Sequence, residues 1–225
     1  AWVSLQEIRR LTNLQAYEIS DVYDLFAEAT DGDGFLGRDE FYHCFQRLVH
    51  LQQRMTPRSS DDDRTRVIVD RLFALFESAE GEAAHAGVNG GGRVDFTELM
   101  CGISVLCGGG KVKKVEAAFN LYDRDRLGLI TQEDMVHFLG SVFKVLFESM
   151  PGMQDKVGVS PAHLAAVTAA QAFRDAGIDG DAGGKMDFQQ FQDWYHLSNE
   201  DKTFLFNNIN MNYYTDSKAL QVLLD

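Results

Sequence analysis

The chain has 225 residues, enough to bury a substantial core as one large domain or two smaller units. Hydrophobic residues make up 45% of the sequence, which excludes a disordered or fibrous chain. The formal net charge is −13, and Lys and Arg are outnumbered by Asp and Glu both before and after Gly110. An acidic chain of this kind disfavours nucleic acid as a direct partner and favours cations or a basic helix of another protein.

The cysteines and the hydropathy of the sequence restrict the cellular compartment and the kind of membrane attachment to expect. Cys44, Cys101 and Cys107 are odd in number and form no Cys-x-x-Cys pair, so neither a disulfide framework nor a zinc site is expected. This predicts a reducing, cytoplasmic setting. No apolar run approaches the ~20 residues of a membrane span. No signal peptide or myristoylation motif is visible, so we expect neither a transmembrane segment nor a lipid anchor.

The first half of the chain shows two helix–loop–helix patterns after a leading helix. Five apolar residues at helical spacing predict the leading helix: Val3, Leu5, Ile8, Leu11 and Leu14. The elements that follow are a helix from about Ser20, a loop over 31–34, a helix from about Arg38, a linker over 53–63, a helix over 68–76, a Gly-rich loop over 80–92, and a helix that stops at 108–110.

The second half repeats the pattern. Its elements are a helix containing Val115 and Tyr122, a loop over 123–134, a long apolar helix to about Glu148, a linker over 151–159, a helix from Ser160 to about Arg174, a loop over 179–190, a helix containing Trp194, and a last helix over 216–224. Four repeats of helix, Gly/Asp loop and helix are more specific than any single motif.

The first loop matches a twelve-residue calcium loop, which needs oxygen ligands at positions 1, 3, 5, 7, 9 and 12 and Gly at position 6. With Gly34 at position 6, the predicted ligands at positions 3, 5, 7 and 12 are Asp31, Asp33, the Phe35 carbonyl and Glu40. Position 1 is Ala29, so one carboxylate is missing.

The third loop is the other good match. With Gly128 at position 6, its predicted ligands at positions 1, 3, 7, 9 and 12 are Asp123, Asp125, the Leu129 carbonyl, Thr131 and Asp134. Leu127 removes the ligand at position 5. Asp134 is one methylene shorter than the usual Glu, so a smaller ion such as Mg²⁺ becomes more competitive.

The remaining two loops are poorer. With Gly184 at position 6, the fourth loop offers Asp179, Asp181, the Lys185 carbonyl and Asp187, but position 12 is the neutral Gln190. The second loop places Gly92 at position 6 and Val94 at position 8, and it carries an insertion of about ten residues relative to the standard length. We expect no metal in the second loop.

Each loop therefore lacks at least one ligand, and one or two weak Ca²⁺ sites are the most we expect. The alternative is that the loops bind no metal and persist only as turns. A plain turn does not explain the aliphatic residue at position 8 of every loop, where two calcium loops pair as short strands. These residues are Leu36, Val94, Ile130 and Met186.

The chain resembles the EF-hand superfamily, and within it the four-hand sensor group of calcineurin B-type proteins, neuronal calcium sensors and calaxin-like axonemal sensors. The clearest stretches of similarity run from Phe96 to Cys107 and from Ala117 to Asp123. The resemblance implies an all-α fold of two lobes with short loop–loop β pairing. We place an EF-hand pair with its leading helix at 1–110 and a second pair with its tail helix at 111–225. It also implies a hydrophobic groove that receives a helical segment of a larger protein.

The long helix after the third loop is apolar on two sides. One stripe suffices to pack a lobe, and the second contains Val136, Phe143 and Phe147. Either the other lobe or the tail helix covers this second stripe, or it is a groove for a target.

Three hypotheses follow for the function. The first is a calcium-sensor-like adaptor for a helical target, without enzymatic activity, since no Gly-x-Ser-x-Gly, phosphate loop or His-Glu-x-x-His motif occurs. The second is a metal-independent structural component of a cytoskeletal or axonemal assembly. The third is an EF-hand regulatory domain of a larger enzyme, because Ala1 is not an initiator Met.

Overall fold

The computed structural model describes residues 4–30, 32–53, 59–78, 92–123, 126–150, 152–180 and 182–200. Most of them are helical, and two small antiparallel sheets join the loops. The predicted all-α class with short loop pairing is therefore confirmed. The chain divides into two units, Ala1–Gly109 and Gly110–Asp225. Among the helices described, none combines the length and apolar character that crossing a bilayer requires.

The first unit contains two helix–loop–helix hands and a leading segment. Its elements are α1 (Leu5–Leu11), a 3₁₀ turn (Leu14–Ala16), α2 (Ile19–Ala27), β1 (Phe35–Gly37), α3 (Arg38–Gln53), α4 (Ser59–Phe76), β2 (Glu77–Ser78), β3 (Arg93–Asp95), α5 (Phe96–Ile103) and a second 3₁₀ turn (Ser104–Leu106). The predicted linker over 53–63 is wrong in part, because α4 already begins at Ser59.

The leading segment is shorter than predicted and is bonded to the rest of its unit. The Ser4 hydroxyl caps α1 by accepting the Glu7 N–H at 3.3 Å. The helix ends before Asn13, which has a φ of 60° and therefore a left-handed backbone that breaks the predicted helix through Leu14. The Asn13 amide donates to the Leu48 carbonyl at 2.7 Å, which ties this break to α3.

Four phenylalanines form the centre of the first unit. Phe26 packs against Phe45 at a ring-centroid distance of 5.3 Å, and Phe41 lies 5.0 Å from Phe45 and 5.1 Å from Phe73. All four are essentially inaccessible to solvent. Because one ring comes from α2, two from α3 and one from α4, the cluster packs both hands together.

A three-stranded sheet joins the two loops of the first unit. The strand order is β1–β3–β2, and Leu36 pairs with Val94 at its centre. Both of these side chains are fully buried, as position 8 predicts. The extra strand β2 follows α4 directly and pairs Glu77 with Val94. The second hand therefore departs from a standard loop, in agreement with the predicted insertion.

In its described residues, the second unit repeats the plan without an extra strand. Its elements are α6 (Lys111–Tyr122), β4 (Leu129–Thr131), α7 (Gln132–Ser149), α8 (Met153–Val157), α9 (Pro161–Asp175), β5 (Lys185–Asp187) and α10 (Phe188–Glu200). Ile130 pairs with Met186 in the β4–β5 sheet, and both are buried. Ser160 caps α9 and Pro161 occupies its first turn, as predicted. The predicted linker over 151–159 contains the short helix α8, and the predicted last helix over 216–224 lies outside the described residues.

Candidate metal loops and target groove

The third loop has the geometry of a calcium loop at its start. Asp123 follows α6, and its Oδ2 accepts the Gly128 N–H at 2.8 Å. Gly128 has a φ of 72°, the left-handed turn that position 6 requires. The carboxylate at position 1 is therefore held over the loop by the glycine at position 6.

The other oxygen of Asp123 indicates what this loop can bind. Asp123 Oδ1 is buried and has no hydrogen-bond partner in the described structure. A buried carboxylate oxygen without a donor is costly, and a bound cation would satisfy it. The oxygen-rich donor set of this loop suits a hard cation such as Ca²⁺. The residues present therefore fit the ion at this position, although the predicted ligand Asp125 lies outside the described residues.

The far end of the third loop is engaged in a capping box. Asp134 Oδ2 accepts the Thr131 N–H at 2.8 Å and the Thr131 hydroxyl at 2.6 Å, and the Asp134 N–H donates back to that hydroxyl at 3.1 Å. These bonds start α7. Both bonds use Oδ2, so Asp134 must release them before it can hold an ion with both carboxylate oxygens. Leu129, whose carbonyl is the predicted ligand at position 7, has an exposed side chain.

The first loop is closed by an ion pair with the second. Arg93, on β3, donates to both Asp33 oxygens, with Nη1–Oδ2 at 2.6 Å and Nη2–Oδ1 at 2.9 Å. Gly34 has the left-handed φ of 82° that position 6 requires. The Glu40 carboxylate lies 2.5 Å from where a Cβ on Gly37 would stand, so it is folded back along the start of α3. The predicted ligand Asp31 lies outside the described residues.

The fourth loop departs from the predicted geometry. The left-handed glycine is Gly183, with a φ of 78°, and the glycine at position 6, Gly184, is not left-handed. The assignment of the turn to Gly184 is therefore wrong. Asp179 Oδ1 accepts the Ala182 N–H at 3.0 Å, and the Gly184 N–H bonds the Asp179 backbone carbonyl at 2.9 Å. The loop closes on its own backbone, and the position-1 carboxylate caps a local turn.

Position 12 of the fourth loop also serves as a helix cap. The Asp187 N–H donates to Gln190 Oε1 at 3.0 Å, and the Gln190 N–H donates to Asp187 Oδ1 at 2.8 Å. Lys185 lies opposite Thr131 in the β4–β5 pair. Of the other predicted ligands, Asp181 lies outside the described residues. This loop fits a metal less well than the third.

Loop two has no left-handed glycine at position 6, because Gly92 lacks a positive φ. The Glu77 side chain occupies the space where a Cβ on Gly92 would stand. Within the described ranges, no three His, Cys, Asp or Glu groups meet at metal-binding distances. Three of the predicted carboxylate ligands, Asp31, Asp125 and Asp181, are outside those ranges.

A groove separates α3 from α4 in the first unit. It has a volume of about 630 Å³. Its lining residues are Arg38, Asp39, Tyr42, Phe45, Gln46, Val49, Thr65, Arg66, Val69 and Asp70. The floor is aromatic and aliphatic, and the two arginines and two aspartates among the described lining residues balance each other in charge.

The equivalent helices of the second unit, α7 and α9, pack closely together. A Cβ on Gly140 would lie 3.9 Å from the Ala165 methyl group, and the buried alanines Ala169 and Ala172 continue along α9. In the predicted target stripe on α7, Phe143 is buried, and Val136 and Phe147 are half-buried. The role of this stripe as a groove stays a prediction.

The comparisons with known proteins cover most of the chain. The family model for an EF-hand domain pair matches residues 90–140. A recoverin family protein of Dictyostelium discoideum is 24% identical over 84% of this chain and 78% of its own length. The calcineurin B protein of Naegleria gruberi is 28% identical over 83% of this chain and 84% of its own. Calaxin of Bos taurus is 28% identical over 68% of this chain and 62% of its own. Residues 90–140 therefore match an EF-hand domain pair, and the chain over most of its length is similar to recoverin family and calcineurin B proteins.

Proposed function

We propose that the protein is a calcium-sensor-like adaptor without enzymatic activity, with its calcium site in the third loop. The observation that carries this proposal is Asp123, whose Oδ2 is positioned by Gly128 while its Oδ1 is buried without a donor. In this loop, Asp123, Asp125, Thr131, Asp134 and the Leu129 carbonyl would hold the ion. The match of residues 90–140 to an EF-hand domain pair supports calcium as the bound ion.

Binding at this loop is weak for two structural reasons. Leu127 supplies no oxygen at position 5, and its side chain is 63% exposed. Asp134 is short, and its carboxylate starts α7 through the Thr131 cap. Releasing such a cap costs about 1 kcal/mol, which an ion must supply before it gains the ligand. Magnesium tolerates fewer protein ligands because it keeps several waters, so it competes at this site.

The partner in this proposal is a helical segment of a larger protein bound in the groove between α3 and α4. Tyr42 and Val49, both half-buried, offer apolar contacts along the groove. A helix with apolar residues at positions i, i+3 or i+4, and i+7 presents a stripe that matches such a floor. The balanced charges of the lining would set the orientation of the segment more than its affinity.

The calcium site is tested by measuring the thermal unfolding midpoint with chelator and again with calcium. Three chains are compared: the parent, Asp123→Asn and Asp179→Asn. Asn can still accept the Gly128 N–H, so the first variant removes the charge and keeps the turn. We expect calcium to raise the midpoint of the parent and of the control in loop four, and not that of Asp123→Asn. An equal rise in all three chains would place the ion elsewhere.

The groove is tested with a matched pair of valines. Val49 lines the groove, whereas Val67 is 52% exposed on α4 and is not part of the lining. The probe is a synthetic Leu/Lys amphipathic helical peptide, with binding followed by fluorescence anisotropy. We expect Val49→Asp to weaken binding by at least about tenfold, the cost of placing a charge in an apolar contact. Val67→Asp should bind like the parent. Equal effects of the two substitutions would show that the peptide does not bind in the groove.

A metal-independent structural role is the second candidate, and specific contacts favour it. The Arg93–Asp33 pair and the Asp187–Gln190 cap hold the first and fourth loops through protein contacts alone. This candidate requires a folded chain in chelator and a midpoint that calcium does not move. The cytoplasmic, cytoskeletal or axonemal setting stays a prediction under both candidates.

A further inference from the structure

Arg93 lies across the first loop from the neighbouring strand. Its guanidinium bonds both oxygens of Asp33 and lies 5.2 Å from the centroid of the Phe35 ring. The Arg93 side chain is only 11% exposed, although Asp33 is 43% exposed. A bidentate pair with the cation largely shielded from water is stronger than an ordinary surface ion pair.

The strand register explains how Arg93 reaches this position. Arg93 pairs with Gly37, and alternation along the strands places Phe35, Gly37 and Arg93 on one face while Leu36 and Val94 fill the core. The planar fork of the guanidinium matches the two carboxylate oxygens, which a Lys ammonium would not.

This arrangement conflicts with metal binding in the same loop. Asp33 is the predicted ligand at position 5, and its Oδ1 also accepts the Phe35 N–H at 3.1 Å. A metal ion must therefore displace the guanidinium before it can use this carboxylate. Position 1 is Ala29, so the ion has no carboxylate there to compensate for the displacement.

We propose that Arg93 is the built-in cation of the first loop, holding it closed in place of calcium and excluding the ion. This deepens the proposed function, because it confines the calcium response to the second unit. The pairing of β1 with β3 in the first unit is then the same with and without calcium. The groove between α3 and α4 is likewise unaffected by the ion.

The test compares the parent with Arg93→Gln and Arg93→Lys. Arg47→Gln is the control, because Arg47 pairs with Glu28 in an exposed ion pair at 3.8 Å. Calcium is titrated while the backbone amides of Gly34 and Gly128 are followed by NMR, one for each loop. We expect the Gly34 amide of the parent and of the control not to respond at calcium concentrations that move it in Arg93→Gln. The gain in affinity at this loop should be at least about tenfold.

Stability supplies the second readout. In chelator, Arg93→Gln should have a lower thermal midpoint than Arg47→Gln, and calcium should restore part of the loss. If Arg93→Gln does not fold, Arg93→Lys takes its place, because it keeps the charge without the planar guanidinium. Its Gly34 amide should respond to calcium more than that of the parent and less than that expected for Arg93→Gln. A Gly34 amide that responds equally in the parent and in the folded Arg93 variants would overturn the proposal. The Gly128 amide reports separately on the proposed calcium site, so the two claims can fail independently.

Discussion

Leu127→Asp is the substitution that should most improve calcium binding. The side chain occupies position 5 of the third loop and is 63% exposed. Replacing it removes only about a third of the burial of a Leu side chain, on the order of 0.5–1 kcal/mol. Opposite unit charges about 4 Å apart near a protein surface attract by about 4 kcal/mol. If a third of that survives dehydration and repulsion from Asp123, about 1.4 kcal/mol remains, a tenfold gain in affinity.

Calorimetric titration of calcium measures this gain, and Leu129→Asp is the matched control. Leu129 is 37% exposed and lies at position 7, where the ligand is the backbone carbonyl. A carboxylate there adds the same charge to the same loop without supplying the missing ligand. Leu127→Asp should bind calcium at least about tenfold more tightly than the parent, and Leu129→Asp should gain much less. Equal gains in the two variants would reduce the effect to net charge and refute the ligand assignment.

Three further predictions concern stability. A Cβ on Gly108 would collide with the Gln15 backbone carbonyl, so Gly108→Ala should lower the free energy of unfolding by about 1–3 kcal/mol in urea titrations. An unchanged midpoint would contradict this packing. Thr131→Val removes the cap of α7 and should cost about 1 kcal/mol in chelator, whereas an intact stability would mean that Asp134 caps the helix alone. Burial raises the pKa of the Cys44 thiol from 9.0 to about 11, so the unfolded chain loses this proton first as the pH rises. Stability from this group is therefore full below pH 9 and is lost by pH 11, and Cys44→Ser should flatten that decline in the thermal midpoint.

The sequence predicts the helix–loop rhythm and the pairing of the loops because both are local patterns. The aliphatic residue at position 8 is visible in each loop alone, and the structure pairs Leu36 with Val94 and Ile130 with Met186. The position of the left-handed glycine in the fourth loop is less predictable. Gly183 and Gly184 are adjacent, and either can adopt a positive φ, so closure of the loop on the Asp179 carbonyl decides between them.

The Arg93–Asp33 pair is beyond a loop-by-loop prediction. The two residues are 60 positions apart, and they meet only because β1 and β3 pair in one register. A search for basic residues next to position 8 of a partner loop could have found it. The same limit applies to position 12, where Asp134 and Gln190 occupy ligand positions but cap helices instead. Sequence spacing identifies a possible ligand, and local hydrogen bonds determine whether it is available.

The number of calcium ions bound per chain tests most directly whether calcium binds at the third loop alone. Calorimetric titration of calcium into the chelator-treated protein should give one site, with an affinity weaker than that of dedicated calcium buffers. Asp123→Ala should abolish it, and Asp33→Ala should leave it intact. Two sites in the parent, or one site that survives Asp123→Ala, would contradict the assignment of calcium sensing to the third loop.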